Sequence, residues 1–151
     1  MNRKRIPLSP VHRTASGFSL IELMIVVVIV AVLASLANAT YARYITKANR
    51  AAAAAYLHGV ANRQEQYFLD ARQYAEDMTE LGATPPAEVS QHYTIETSAE
   101  NDDTPPSFDV TATPISGSAQ AERDVKCGAL TLTHAGAKSI SGTGTVQDCW
   151  Q

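Results

Sequence analysis

Residues 13 to 36 read RTASGFSLIELMIVVVIVAVLASL: a basic leader, then Gly17-Phe18, then an apolar run broken only by Glu22. An ionised carboxylate among apolar side chains costs several kcal/mol unless a cation meets it, so Glu22 marks a functional position whose partner has to be named. The candidate partner is an amine freed by cutting after Gly17. The uncharged stretch Leu23 to Ala42 is 20 residues long. As a helix rising about 1.5 Å per residue it covers about 30 Å, the thickness of a bilayer's hydrocarbon core. Arg3, Lys4, Arg5 and Arg13 precede it with no acidic residue, which favours a cytoplasmic N-terminus. Arg43, Lys47 and Arg50 follow closely on the other side and vote against that orientation.

A secretory signal peptide is the rival reading. Ala37-Asn38-Ala39 followed by Thr40 is an acceptable small-x-small cleavage site after a long apolar region. Glu22 inside the apolar region and the length of the run tell against it.

The chain has 151 residues and a net charge of −3. Without the four cations of residues 1–17, eight Lys and Arg face 15 Asp and Glu, a side-chain charge of −7. Such a chain does not favour nucleic acid or an anionic membrane surface as partner. Cys127 and Cys149 are the only cysteines, too few for a metal site and suited to one disulfide. A disulfide places the C-terminal part in an oxidising compartment outside the cytoplasm, and it closes a tail that includes the glycine-rich region 136–144.

From Tyr41 the pattern stays helical to about Ala71. Ala53, Tyr56, Leu57, Val60, Gln64, Tyr67, Phe68 and Ala71 fall on one face, with His58, Asn62, Glu65 and Gln73 opposite. The aromatic stripe is expected to pack on a sheet. No Pro or Gly interrupts before Gly59, so anchor and amphipathic part form one helix of about 50 residues. Strands are expected at His92 to Thr97, Phe108 to Thr113 and Ala129 to Thr133. Ser98 to Ser107 reads as an exposed hairpin loop and Pro114 to Ala121 as a flexible connector. The expected fold is α+β, a long N-terminal helix packed on three or four antiparallel strands, with a disulfide-closed C-terminal loop.

Gly17-Phe18-Ser19-Leu20-Ile21-Glu22-Leu23-Met24-Ile25-Val26-Val27 resembles the class III signal of type IV prepilins and of the pseudopilins of type II secretion. The tail, Cys127-Gly128-Ala129-Leu130-Thr131-Leu132-Thr133 with Gly136, Lys138 and Cys149-Trp150, is similar to that of PilE-like minor type IV pilins. Arg63-Gln64-Glu65-Gln66-Tyr67-Phe68-Leu69 and Tyr74-Ala75 point the same way. The resemblance implies a type IV pilin fold and cleavage after Gly17 by a prepilin peptidase, which also methylates Phe18. It further implies a role for Glu22 in subunit assembly, opposite the Phe18 ammonium of an adjacent subunit. It divides the chain into a cleaved leader at 1–17, a transmembrane and fibre-core helix at 18–42 and a globular domain at 43–151. The chain departs from the family at Ala39 and Ala31, where a proline and a glycine are common, so no helix kink is forced.

The function expected is that of a minor structural subunit of a type IV pilus, serving fibre assembly, adhesion, twitching motility or DNA uptake. Its partners would be the peptidase, the inner membrane and other pilin subunits; its location, the inner membrane with the C-terminal domain periplasmic, then the extracellular fibre. A type II secretion pseudopilin is one alternative. A DNA-uptake receptor pilin is another, with Arg123, Lys126 and Lys138 as candidate DNA contacts and Trp150 available to stack. The acidic run Glu96, Glu100, Asp102, Asp103 and Asp109 opposes it, so DNA is not the favoured partner. His12, His58, His92 and His134 form no metal or nucleophile motif, and neither catalysis nor a cofactor is expected.

The mature chain should begin at N-methylated Phe18. N-terminal mass spectrometry of membrane-extracted protein checks this, and Gly17→Val should leave the precursor uncut; a chain starting at Thr40 would establish the secretory reading instead.

Overall fold

The computed structural model describes residues 17–151, except for the side chains of residues 36–39. The leader cations Arg3, Lys4, Arg5 and Arg13 lie outside the described residues. One helix, α1, runs Leu20–Ala71. It contains no proline, and its alanine-rich second half, Ala51 to Ala55 above all, is built of good helix formers. Arg72 ends it in the left-handed region at φ 60°, its N–H donating to the Phe68 carbonyl at 2.9 Å, a left-handed cap on a residue with a Cβ.

The chain divides into two units, residues 1–38 and 39–151. In the first, the described apolar side chains from Phe18 to Leu33 are half or more exposed all round the helix. A helix apolar on every side belongs in lipid or among other helices. It is long and apolar enough to cross a membrane.

In the second unit, α1 lies on a four-stranded antiparallel sheet. The elements after it are α2 (Ala87–Ser90), β1 (Tyr93–Glu100), β2 (Ser107–Pro114), α3 (Ala119–Arg123), β3 (Leu130–Thr133), β4 (Lys138–Ile140) and α4 (Val146–Cys149). The strands lie in the order β1-β2-β3-β4. Ile95 faces Ala112, Val110 faces Leu132 and Leu130 faces Ile140. Period-two alternation therefore delivers Ile95, Val110, Ala112, Leu130 and Leu132 to one core with Ala53, Leu57 and Val60 of α1. Phe68, Tyr74 and Phe108 close one end, with successive ring centroids 4.7 Å apart.

Several expectations are corrected. The buried stripe of α1 runs Thr46, Arg50, Ala53, Leu57, Val60, Gln64, at alternating four- and three-residue steps. It starts a turn and more before the expected face and stops before Ala71, which is exposed. Tyr67 is only half-buried and donates its hydroxyl to Glu80 Oε1 at 2.8 Å. The hairpin loop expected over Ser98 to Ser107 is shorter: Ser98, Ala99, Glu100 and Ser107 are strand, the ladder continuing to Glu100 opposite Ser107, and only 101–106 form the turn. Its turn is pinned by Asn101, whose side chain accepts from Tyr74 N at 2.8 Å and donates to Tyr74 O at 3.0 Å. The Pro114 to Ala121 connector contains the start of α3, whose N-cap Ser118 accepts from Ala121 N at 3.2 Å.

Gln64, fully buried on α1, holds the chain after the helix. Its amide donates to Ala75 O at 2.8 Å and Thr97 Oγ1 at 2.9 Å, while its Oε1 accepts from Ala75 N at 2.9 Å. Gln64→Leu leaves both backbone groups of buried Ala75 without partners, at about 1 to 3 kcal/mol each. Urea unfolding should show a midpoint lowered accordingly with an unchanged slope; a wild-type midpoint would show these bonds to be dispensable.

Candidate nucleic-acid interface at the disulfide-closed tail

The tail from Cys127 to Cys149 is held at both ends. Cys127 and Cys149 are disulfide-bonded and both buried. Between them, Gly142 N donates to Cys127 O at 3.1 Å and Gly144 N to Lys126 O at 2.7 Å. A Cβ at Gly142 would run into the Lys126 carbonyl, so glycine is what lets the two arms of the loop approach.

Arg50 fixes the tail to the helix. Its side chain is buried on α1 and forms an ion pair with Asp124, which follows α3. Its Nε donates to Cys149 O at 3.0 Å and its Nη2 to Asp148 O at 3.5 Å. Gln120 of α3 completes the node, donating to Thr46 O at 3.1 Å, Tyr93 OH at 2.7 Å and Asp124 Oδ2 at 3.1 Å, and accepting from Asn49 at 3.2 Å. Burial pushes the Asp124 carboxyl above its ordinary range, with Arg50 pulling it partly back. Burial, with the Asp124 charge beside it, raises the Tyr93 phenol well above its usual value. Arg50 is thus not a membrane-flanking charge, and Gln120 is not in a flexible connector.

This node presents Trp150 at the edge of the sheet. The indole is half-buried and its Nε1 donates to Ser139 O at 3.1 Å. Lys138 Nζ lies 5.0 Å from the ring centroid, a cation–π distance, and His58 of α1 meets the ring edge-on at 5.9 Å. A small hollow nearby is lined by His58, Asn62, Glu65, Thr133 and His134.

The three predicted DNA contacts separate. Lys138 belongs to the Trp150 surface, and Lys126 is exposed just before Cys127, outside the closed loop. Arg123 instead lines a groove with Arg43, Tyr44 and Lys47 of α1. The acidic run does not border Trp150 in the sheet: Glu96 and Glu100 are on β1, Asp109 on β2 and Asp102 and Asp103 on the turn between them, whereas Lys138 is on β4, the opposite edge. Gly17, Phe18 and Glu22 are exposed at the other end of the described chain, and Glu22 has no ion-pair partner among the described residues. The sequence reading missed His58 beside Trp150, for which its place opposite the core stripe was the available signal.

Residues 39–131 match the family described as type IV minor pilin ComP, DNA uptake sequence receptor, and residues 12–38 match the prokaryotic N-terminal methylation motif. No curated protein matches the chain. Among solved structures, a type IV pilin from Shewanella oneidensis is 21% identical over 70% of this chain and 98% of its own, with a TM-score of 0.49.

Removing Arg50 strands a buried carboxylate. Arg50→Ala should lower stability at neutral pH by about 3 to 5 kcal/mol. The sign with pH follows from Asp124: its folded pKa, already raised, climbs further, so the folded form holds the proton more tightly than the unfolded one. Stability of the variant should therefore fall as pH rises from the ordinary carboxylate range through that raised value, and acidification should recover part of the loss. Urea unfolding at neutral and mildly acidic pH checks this; a loss that deepens on acidification would contradict it.

Proposed function

The chain belongs to the family of type IV minor pilins described as ComP, DNA uptake sequence receptor, and we propose that it is a DNA-receptor minor pilin whose contact surface is the Trp150 edge. This reverses the order given by composition, in which a purely structural subunit came first. The observation that carries it is the segregation of charge: the acidic run occupies the β1 and β2 side, and Lys138 over Trp150 occupies the β4 edge. With these five carboxylates kept to that side, the β4 edge is left a local cationic and aromatic surface, bordered by the exposed Asp148 of α4. Lys126 and Lys138 would meet phosphates, and the exposed part of Trp150 would meet a sugar or base. The family is one of pilus subunits, not of enzymes.

The N-terminal chemistry supports the rest of the proposal. A prepilin peptidase removes 1–17 and methylates Phe18; residues 18–42 anchor the chain in the inner membrane with residues 43–151 in the periplasm. In the fibre, Glu22, which lacks an intramolecular counter-charge among the described residues, pairs with the Phe18 ammonium of a neighbour. The apolar surface of residues 18–33 is then covered by other subunits.

Titration of labelled duplexes tests the receptor role. Two phosphate contacts give a salt slope of about −1.8 on duplex DNA, and Lys126→Ala or Lys138→Ala should each reduce it by about 0.9. Trp150→Leu should weaken binding as well, because the indole then no longer packs on the sugar or base edge beside the Lys138 contact. Arg63→Ala, at an exposed position elsewhere on α1, should change nothing specific. Absence of binding at low salt, or binding indifferent to all three tail variants, would return the structural subunit to first place.

A further inference from the structure

The groove that takes Arg123 away from the tail is itself a candidate site. It measures about 870 Å³ and is lined by Arg43, Tyr44 and Lys47 of α1, with Arg123 and Asp124 across from them and Arg50 among its walls. The one carboxylate there, Asp124, is taken by Arg50, the only ion pair among the described residues. Arg43, Lys47 and Arg123 are exposed, and Lys47 donates only to the neutral amide of Gln151, at 3.2 Å. Three cations from two elements therefore converge on a concave surface. Three cations lining one concave surface suit a phosphate monoanion, which arginine recognises with paired N–H donors.

Position in the chain identifies the phosphate. The groove begins at Thr40, where the uncharged stretch Leu23 to Ala42 runs out, and Tyr41 and Tyr44 beside it are 66% and 70% exposed. Tyrosines and cations directly after a membrane-length apolar run are the residues that settle at the headgroup layer. We propose that, in the membrane-anchored chain, this groove holds the headgroup of an anionic phospholipid such as phosphatidylglycerol. The proposal rests on the anchored state given above and not on the DNA-receptor role. It makes the lipid contact more than a flanking charge, because Arg123 comes from α3, 80 positions beyond Arg43 in sequence, and stands beside Asp124 in its lock with Arg50. Extraction of the subunit into a fibre would require release of this headgroup.

The full chain, reconstituted in vesicles of phosphatidylcholine with and without phosphatidylglycerol, is released for native mass spectrometry. The wild type should retain phosphatidylglycerol beyond the ratio supplied. Arg123→Gln, at an exposed position, should cut that retention about fivefold, the factor expected for one interfacial cation, and Lys47→Gln should do the same as a second variant. Arg63→Gln, whose Nη1 reaches Gly82 O at 3.4 Å away from the groove, should not. Equal incorporation of all variants into phosphatidylcholine alone shows that anchoring is intact, which separates failure of this proposal from failure of the anchor. Retention without lipid preference, retention unchanged in both groove variants, or displacement by millimolar inorganic phosphate would overturn it. So would duplex DNA binding that is lost in Arg123→Gln while lipid retention is unchanged, which would assign the groove to nucleic acid.

Discussion

Arg50 is the residue on which the second unit depends. Its one guanidinium meets the Asp124 carboxylate after α3 and the last carbonyls of α4, and Asp124 and Gln120 carry the network to Tyr93 of β1. Three elements far apart in sequence, α3, α4 and β1, are thus referred to a single point on α1. A buried ion pair is weak evidence for net stability, since apolar replacements of like volume often do as well. What it supplies here is register: the fork has one arrangement that satisfies a carboxylate and two carbonyls together. Among the described residues no buried side-chain nitrogen or oxygen is left without a partner, so the network is complete and costly to disturb at any member.

From that node the two cationic surfaces follow. Holding Asp124 against Arg50 neutralises it and leaves Arg123 beside Arg43 and Lys47. Holding the end of α4 brings Trp150 against Ser139 and beneath Lys138. The two surfaces would serve different stages: the groove next to the apolar run while the chain is in the membrane, and the Trp150 edge once the domain meets DNA. Both are compatible with an acidic chain because five of its carboxylates, Glu96, Glu100, Asp102, Asp103 and Asp109, lie on the β1 and β2 side of the sheet.

Much of this was legible in the sequence, and the failures have physical causes. The methylation signal is contiguous and local, so eleven residues identify it. Helix α1 was legible because alanine runs and periodic apolar residues act within a few turns, and its end at Ala71 was expected correctly. The core strands were legible from alternation, but β1 and β2 extend further because ladder hydrogen bonds tolerate polar residues on an outward face. The node was not legible: Arg50 meets partners 74 and 99 positions away, and nothing near it in sequence marks it as buried. Nor was charge segregation, since net charge averages over edges that only the strand order separates. The short β4 inside a glycine-rich stretch left three residues of pattern, too few to name.

The central claim is that the tail locked by Arg50 presents a DNA-contacting edge. Proton–nitrogen correlation spectra of the isotopically labelled domain, recorded as a duplex carrying an uptake sequence is added, test it most directly. The account predicts shifts at the Trp150 indole N–H and at backbone amides around Lys126 and Lys138, with β1 and the 101–106 turn unmoved. Shifts confined to β1 and β2, or none at the indole while the duplex is bound, would contradict it.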